Sequence, residues 1–309
     1  MHSSAPRFGA SFLGFVMFAA GVAGTYLTWR YFVQTPTGQR LDDAAFRGAE
    51  IGQSTLWRGA EPVLDIVSVP FIVIVLGAAA IIALMRQRWM LAIQVTVLVG
   101  GANITTQLLK YVVFERPDLA PTQGAIANSL PSGHTTVAAS VAAALVLVVP
   151  RYTRPAVAVL TAGYAAVTGV ATMIGQWHRP SDVVAAMMVV LAWAGLTMIV
   201  TGLGTPERIR RADPAIVPTA LASGLMAVVA LVTGLLAMSA LTDASDLLAA
   251  GDSLASRDEL VRAYTGGAFG VISITAVVFA AILVVHQLAS RPGPVRAVDK
   301  KAGHEDSYR

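Results

Sequence analysis

The chain has 309 residues, of which 55% are hydrophobic and only 13% charged, whereas a soluble domain carries about 25% charged residues. Lipid is therefore the expected solvent for most of it. Cysteine is absent, which excludes disulfides, thiolate nucleophiles and thiolate-held metals, and with a net charge of only +4 no nucleic-acid partner is expected.

Apolar runs long enough to cross a bilayer, about 17 to 25 residues, predict eight spans at 8–32, 63–85, 90–114, 133–150, 156–174, 183–203, 216–240 and 264–288. The first contains Ala19, Ala20, Ala23 and Gly24, as a signal-peptide cleavage region does. Its apolar stretch is too long for a secretory signal, so it is read as a retained span. The expected fold is an all-α polytopic membrane helix bundle.

Lys and Arg in short loops orient such a bundle. With the N-terminus inside, 13 of the 22 basic residues fall on inner segments, among them Arg86, Arg88, Arg151, Arg154, Arg208, Arg210 and Arg211. Both termini are then cytoplasmic, and 110–132 and 175–182 face outward.

These two outer segments hold "KYVVFERPD" (110–118), "LPSGHTT" (130–136) and "GQWHRPSD" (175–182). Of the five histidines, only His134 and His178 share a membrane face and stand at helix mouths. Around His134, Ser132 suits an N-cap and Gly133 allows a ligand close to the backbone. The orphan amides of such a helix start, with the macrodipole, favour an anion. Asp182 lies four residues after His178, where it can accept from one imidazole nitrogen and free the other to attack. Ser181 and Asp182 also suit a plain helix cap, and Arg179 offers two roles, snorkelling or meeting an anion. Asn103, Gln107 and Lys110 share one helical face, which aims Lys110 toward the bundle interior and the other two motifs. Two imidazoles, one carboxylate and several cations suit a phosphoryl group better than a metal ion; no metal site and no cofactor are expected.

In order, the three motifs resemble those of the type 2 phosphatidic acid phosphatase superfamily, the membrane lipid phosphatases related to vanadium haloperoxidases. The resemblance spans about residues 63 to 203 and rests on Lys110 with Arg116-Pro117, on Pro131 to His134, and on His178 with Asp182. It implies that His178 attacks phosphorus, that Asp182 orients it and that His134 protonates the leaving group. Lys110, Arg116, Ser132, Gly133 and the His134 amide would hold the phosphoryl oxygens. The substrate would be a lipid phosphate or an isoprenoid pyrophosphate, presented from the bilayer. The implied organisation is a first span with its outer segment (1–62), a catalytic core (63–203), two additional C-terminal spans beyond the family's six (204–290) and a cytoplasmic tail (291–309).

Two departures stand out. Five residues separate Lys110 from Arg116 where the family has six, and Thr172 occupies the position of the family's arginine, with Ala171 before it in place of serine. Arg179 is expected to supply the missing cation from the other side of His178. The competing readings are a lipid phosphotransferase of the same fold and a catalytically impaired membrane scaffold. Lipid head group and oligomeric state leave no signature in the sequence. The segments 33–62 and 241–262 are read either as interfacial helices over the site or as tethers.

Overall fold

A computed structural model describes residues 8–66, 77, 81, 89–120, 128–202, 215–250 and 253–289. Among them are nine α-helices and no strand. They are α1 (Phe8–Phe32), α2 (Pro36–Ile51), α3 (Gln53–Ile66), α4 (Trp89–Leu108), α5 (Gly133–Val148), α6 (Arg154–Ile174), α7 (Pro180–Gly202), α8 (Ile216–Ala249) and α9 (Arg257–Ala289). A π-helical turn, Leu109–Val113, continues α4. Among the described residues, six helical segments are long and apolar enough to cross a membrane: Ser11–Phe32, Met90–Val113, Arg154–Ile174, Pro180–Ile199, Ile216–Leu248 and Arg257–Ala289. The protein is a polytopic helical bundle. Helix α5 corresponds to the expected span at 133–150 but has only 16 residues. Most of the expected span at 63–85, like the 291–309 tail, lies outside the described residues.

Helix α7 is the axis of the bundle. Val183, Ala185, Ala186, Met187, Val190, Ala194 and Met198 are fully enclosed, and Met187, Val190, Ala194 and Met198 join residues of α1, α4, α5, α6, α8 and α9 in one apolar core. Small residues let the helices approach. A Cβ on Gly21 would lie 2.5 Å from Ala192 N and Met188 O, and one on Gly195 2.5 Å from Gly14 O. Backbone cannot yield as a side-chain tip does, so Gly21→Ala must push α1 off α7. Overpacking of this kind costs about 1–3 kcal/mol. The variant is expected to melt several degrees lower in detergent; an unchanged Tm would mean that α1 is not tightly docked.

Leu221, Leu225, Val228, Leu231 and Leu235 of α8 are exposed, a row suited to acyl chains. With 34 and 33 residues, α8 and α9 are each about 50 Å long, against a hydrocarbon core of about 30 Å. Both run beyond the expected spans at their joined ends. Helix α9 starts at Arg257 rather than 264 because a capping box sets its beginning. The Glu259 amide donates to Ser256 Oγ at 3.3 Å, and Glu259 Oε2 accepts the Ser256 amide at 2.9 Å.

The 33–62 segment forms helices. Helix α2 opens on Thr35, whose hydroxyl accepts the Gly38 amide at 3.0 Å, followed by Pro36. Leu41, Ala44 and Ala45 pack with Ala244, Leu248, Leu254 and Ala263, on the overhang of α8 and α9. Gly48 makes this seat possible, because a Cβ there would collide with the Leu260 carbonyl of α9.

Candidate active site

Four helix ends meet at one end of the bundle: the close of α4, the start of α5, the close of α6 and the start of α7. Ser132 is the N-cap of α5, its hydroxyl accepting the Thr135 amide at 3.3 Å. Its own amide donates to the Asp182 carbonyl at 2.9 Å, which ties the second motif to the third. Thr106 of α4 and Thr136 of α5 share a hydrogen bond of 2.9 Å beneath. A Cβ on Gly133 would meet only Gln107 Nε2, at 3.7 Å, so the first amides of α5 are open to a ligand.

His178 is buried, and its Nδ1 lies 3.1 Å from Asp182 Oδ2. The same oxygen accepts the Arg179 amide at 3.0 Å. An ionised carboxylate can only accept, so Nδ1 is the donor in this contact. Nε2 has no hydrogen bond among the described residues. The exposed ring of His134 faces His178 with 6.2 Å between centroids and leans on Trp177 at 5.1 Å. Trp177 in turn meets Trp57 of α3 at 6.2 Å.

The cations come from two sides. Lys110 sits in the π-turn, half-buried, its Nζ 5.6 Å from the Tyr111 ring and close enough to His134 for their charges to interact. π-turns of this kind are frequent at functional sites. Upstream on the same face, Asn103 Nδ2 donates to Val99 O at 2.8 Å and to Ser140 Oγ of α5 at 3.3 Å, so the stripe does turn toward α5. Arg116 lies in the segment after the π-turn. Burial, and next the like charge of Arg179, lower its pKa from the ordinary value; Asp42, Asp182 and Asp43 oppose this. Arg179 is only 3% exposed, with its guanidinium 5.1 Å from the Phe46 ring. Among the described residues, Arg179 Nε and Nη2 and Arg116 Nη2 are buried without a hydrogen-bond partner. Buried donors of this kind are costly unless a partner arrives.

Thr172 supplies no cation. Its hydroxyl turns back to Gly169 O at 2.7 Å, and its carbonyl accepts the Trp177 and His178 amides at 3.0 and 3.2 Å. Its role here is to shape the turn carrying His178. All eight residues singled out from the sequence thus lie around this end. What the sequence did not show is Asp42 of α2. It is 1% exposed, accepting Ser181 Oγ at 2.6 Å and the Ser181 amide at 3.2 Å. A helix that precedes all three motifs in the chain thereby caps α7. Burial, then repulsion from Asp182, raises the Asp42 pKa to about 6, with Arg179, Ser181 and Arg116 acting the other way. The available signal was an acidic pair, Asp42-Asp43, in a segment between apolar runs. Among the described residues, no group of three or more His, Asp or Glu side chains is placed to hold a metal ion.

Helices α4, α6 and α7, which carry most of this site, are long and apolar enough to cross a membrane. Residues 89–205 match the family model of the PAP2 superfamily, so over that stretch the chain is similar to the type 2 phosphatidic acid phosphatases. No curated protein and no solved structure matches it.

Proposed function

We propose that the protein is an integral membrane phosphatase that hydrolyses a lipid phosphate or a polyprenyl pyrophosphate at the outer membrane face, without a metal. The observation that carries this reading is the His178–Asp182 contact of 3.1 Å with His134 facing it across an open helix N-terminus. His178 Nε2 attacks phosphorus, and the bond from phosphorus to the leaving oxygen breaks as His134, protonated, gives that oxygen its proton. Water then attacks the phosphohistidine. His134 takes the water's proton, and the P–N bond breaks to release phosphate and neutral His178. The 6.2 Å between the rings suits a phosphoryl group held at about 3 Å from each reacting nitrogen.

Lys110, Arg116, Arg179, Ser132 and the amides of Gly133 and His134 stabilise the transferring oxygens, the largest contribution in phosphoryl transfer. Arg179 stands in for the cation missing at Thr172; its buried, unpartnered donors support this. The catalytic core is residues 63–203, to which 1–62 and 204–290 are additions. The basic inner loops support cytoplasmic termini, and hence an outward-facing site.

The test is phosphate release by the purified chain from a panel of lipid phosphates and polyprenyl pyrophosphates, with chelator present. Release is expected, and His178→Ala should fall to the uncatalysed background. Activity that survives loss of His178, or that needs a divalent ion, sinks the mechanism. Turnover only with an added hydroxyl acceptor identifies a transferase instead.

A further inference from the structure

Helix α2 lies outside residues 89–205, yet one of its faces grips both arginine-bearing segments of the site. Gln39, Asp42 and Phe46 stand at i, i+3 and i+7, neighbours along one side of a helix. Gln39 is 1% exposed, and its Nε2 donates to Pro117 O at 2.7 Å and to Val33 O at 2.8 Å. Its Oε1 accepts the Leu119 amide at 3.3 Å. The segment following Arg116 is thus held at two points by one side chain.

Phe46 does the same for Arg179. Its ring lies 5.1 Å from the guanidinium, and its carbonyl accepts Gln176 Nε2 at 2.7 Å. Gln176 has φ of 57°, a left-handed conformation that costs a non-glycine residue about 1–2 kcal/mol and persists where the surroundings enforce it. The hydrogen bond to α2 is one such restraint, two residues before His178. Between the two grips, Asp42 holds Ser181 and places its charge within range of both arginines.

Packing alone does not call for these residues. Leu41, Ala44 and Ala45 already seat α2 on the α8–α9 overhang, and burying Gln39 and Asp42 is costly unless their hydrogen bonds are made. Arg116 and Arg179 repel each other and need rigid placement to point at one anion.

We propose that the Gln39–Asp42–Phe46 face of α2 is the positioning element of the phosphate cradle, with Gln39 setting Arg116 and Phe46 setting Arg179. This rests on the phosphate reading of the site. It also gives α8 and α9 a purpose: they carry the brace.

The test is a pair of double-mutant cycles on the full chain, read as the Kd of inorganic orthophosphate by titration calorimetry. Gln39→Met and Phe46→Leu are each expected to weaken binding by about tenfold. In the Arg116→Ala background, Gln39→Met should add less than about twofold, and Phe46→Leu likewise in the Arg179→Ala background; residues acting through one another couple in this way. A general loss of fold would instead weaken binding additively in both backgrounds, and additivity overturns the inference. Gln39→Met risks misfolding because it is buried, so its Tm is measured; the half-buried Phe46→Leu decides the matter if Gln39→Met does not fold. A wild type that binds no orthophosphate overturns the phosphate reading and this inference together. A wild type that binds it, with additive variants, overturns this inference alone.

Discussion

Asp182→Ala is expected to lower kcat by about 10³- to 10⁴-fold, with a much smaller change in KM, because in the proposed mechanism the carboxylate orients the attacking imidazole rather than holding substrate. Without it nothing keeps the proton on His178 Nδ1, and the Nε2 lone pair is no longer aimed at phosphorus. Asp182→Asn should fall between wild type and Asp182→Ala, for a reason particular to this geometry. The Oδ2 position accepts two donors, His178 Nδ1 at 3.1 Å and the Arg179 amide at 3.0 Å. An amide oxygen placed there satisfies both, so the tautomer survives while the negative charge opposite the proposed phosphohistidine is lost. Steady-state kinetics of the two variants on one phosphate ester check this. Equal loss in both would show that charge alone matters and that the tautomer argument is wrong.

The second large effect is on stability, and it depends on pH. Asp42 has its pKa raised from 3.8 to about 6 in the folded protein. Between these values the folded chain holds a proton that the unfolded chain has lost, so stability falls as pH rises through the window. A shift of about two units corresponds to about 3 kcal/mol. Asp42→Asn is neutral at every pH and can still meet both Ser181 groups, its carbonyl accepting the amide and its NH₂ donating to the hydroxyl. It is therefore expected to melt above wild type at pH 7.5, with an advantage that shrinks through pH 6 to 5 and vanishes below about pH 4. Thermal unfolding of both proteins across that range checks it, and a difference independent of pH would remove the argument. A buried charge kept at such a cost fits a residue retained for the site rather than for stability.

The motif residues were legible because their chemistry is local. Ser132 caps α5 as its type and place before an apolar run predict, and His178 and Asp182, one helical turn apart, meet as that spacing predicts. The apolar spans were legible because bilayer thickness sets their length. Their ends were less so. Helix α9 starts seven residues early because Ser256 and Glu259 cap it, and Pro180 with Asp42 starts α7 ahead of position 183. Thr172 showed in the sequence as a missing cation. That its carbonyl shapes the turn bearing His178 did not show, since any residue has a carbonyl.

By itself the sequence determined the apolar, membrane-type composition, the helical bundle and the three motifs whose residues are proposed to bind a phosphoryl group. Those properties follow from hydropathy, periodicity and side-chain chemistry over short stretches of chain. Only the tertiary structure decided that α2 reaches the site, that Asp42 caps α7 across 139 positions, and that Gln39 and Phe46 grip the segments carrying Arg116 and Arg179. The physical reason is that the hydrogen bonds concerned join partners far apart in the chain. A buried Gln or Asp leaves no periodic trace of its partner, which is supplied by the way the facing ends of α8 and α9 seat α2 on the site.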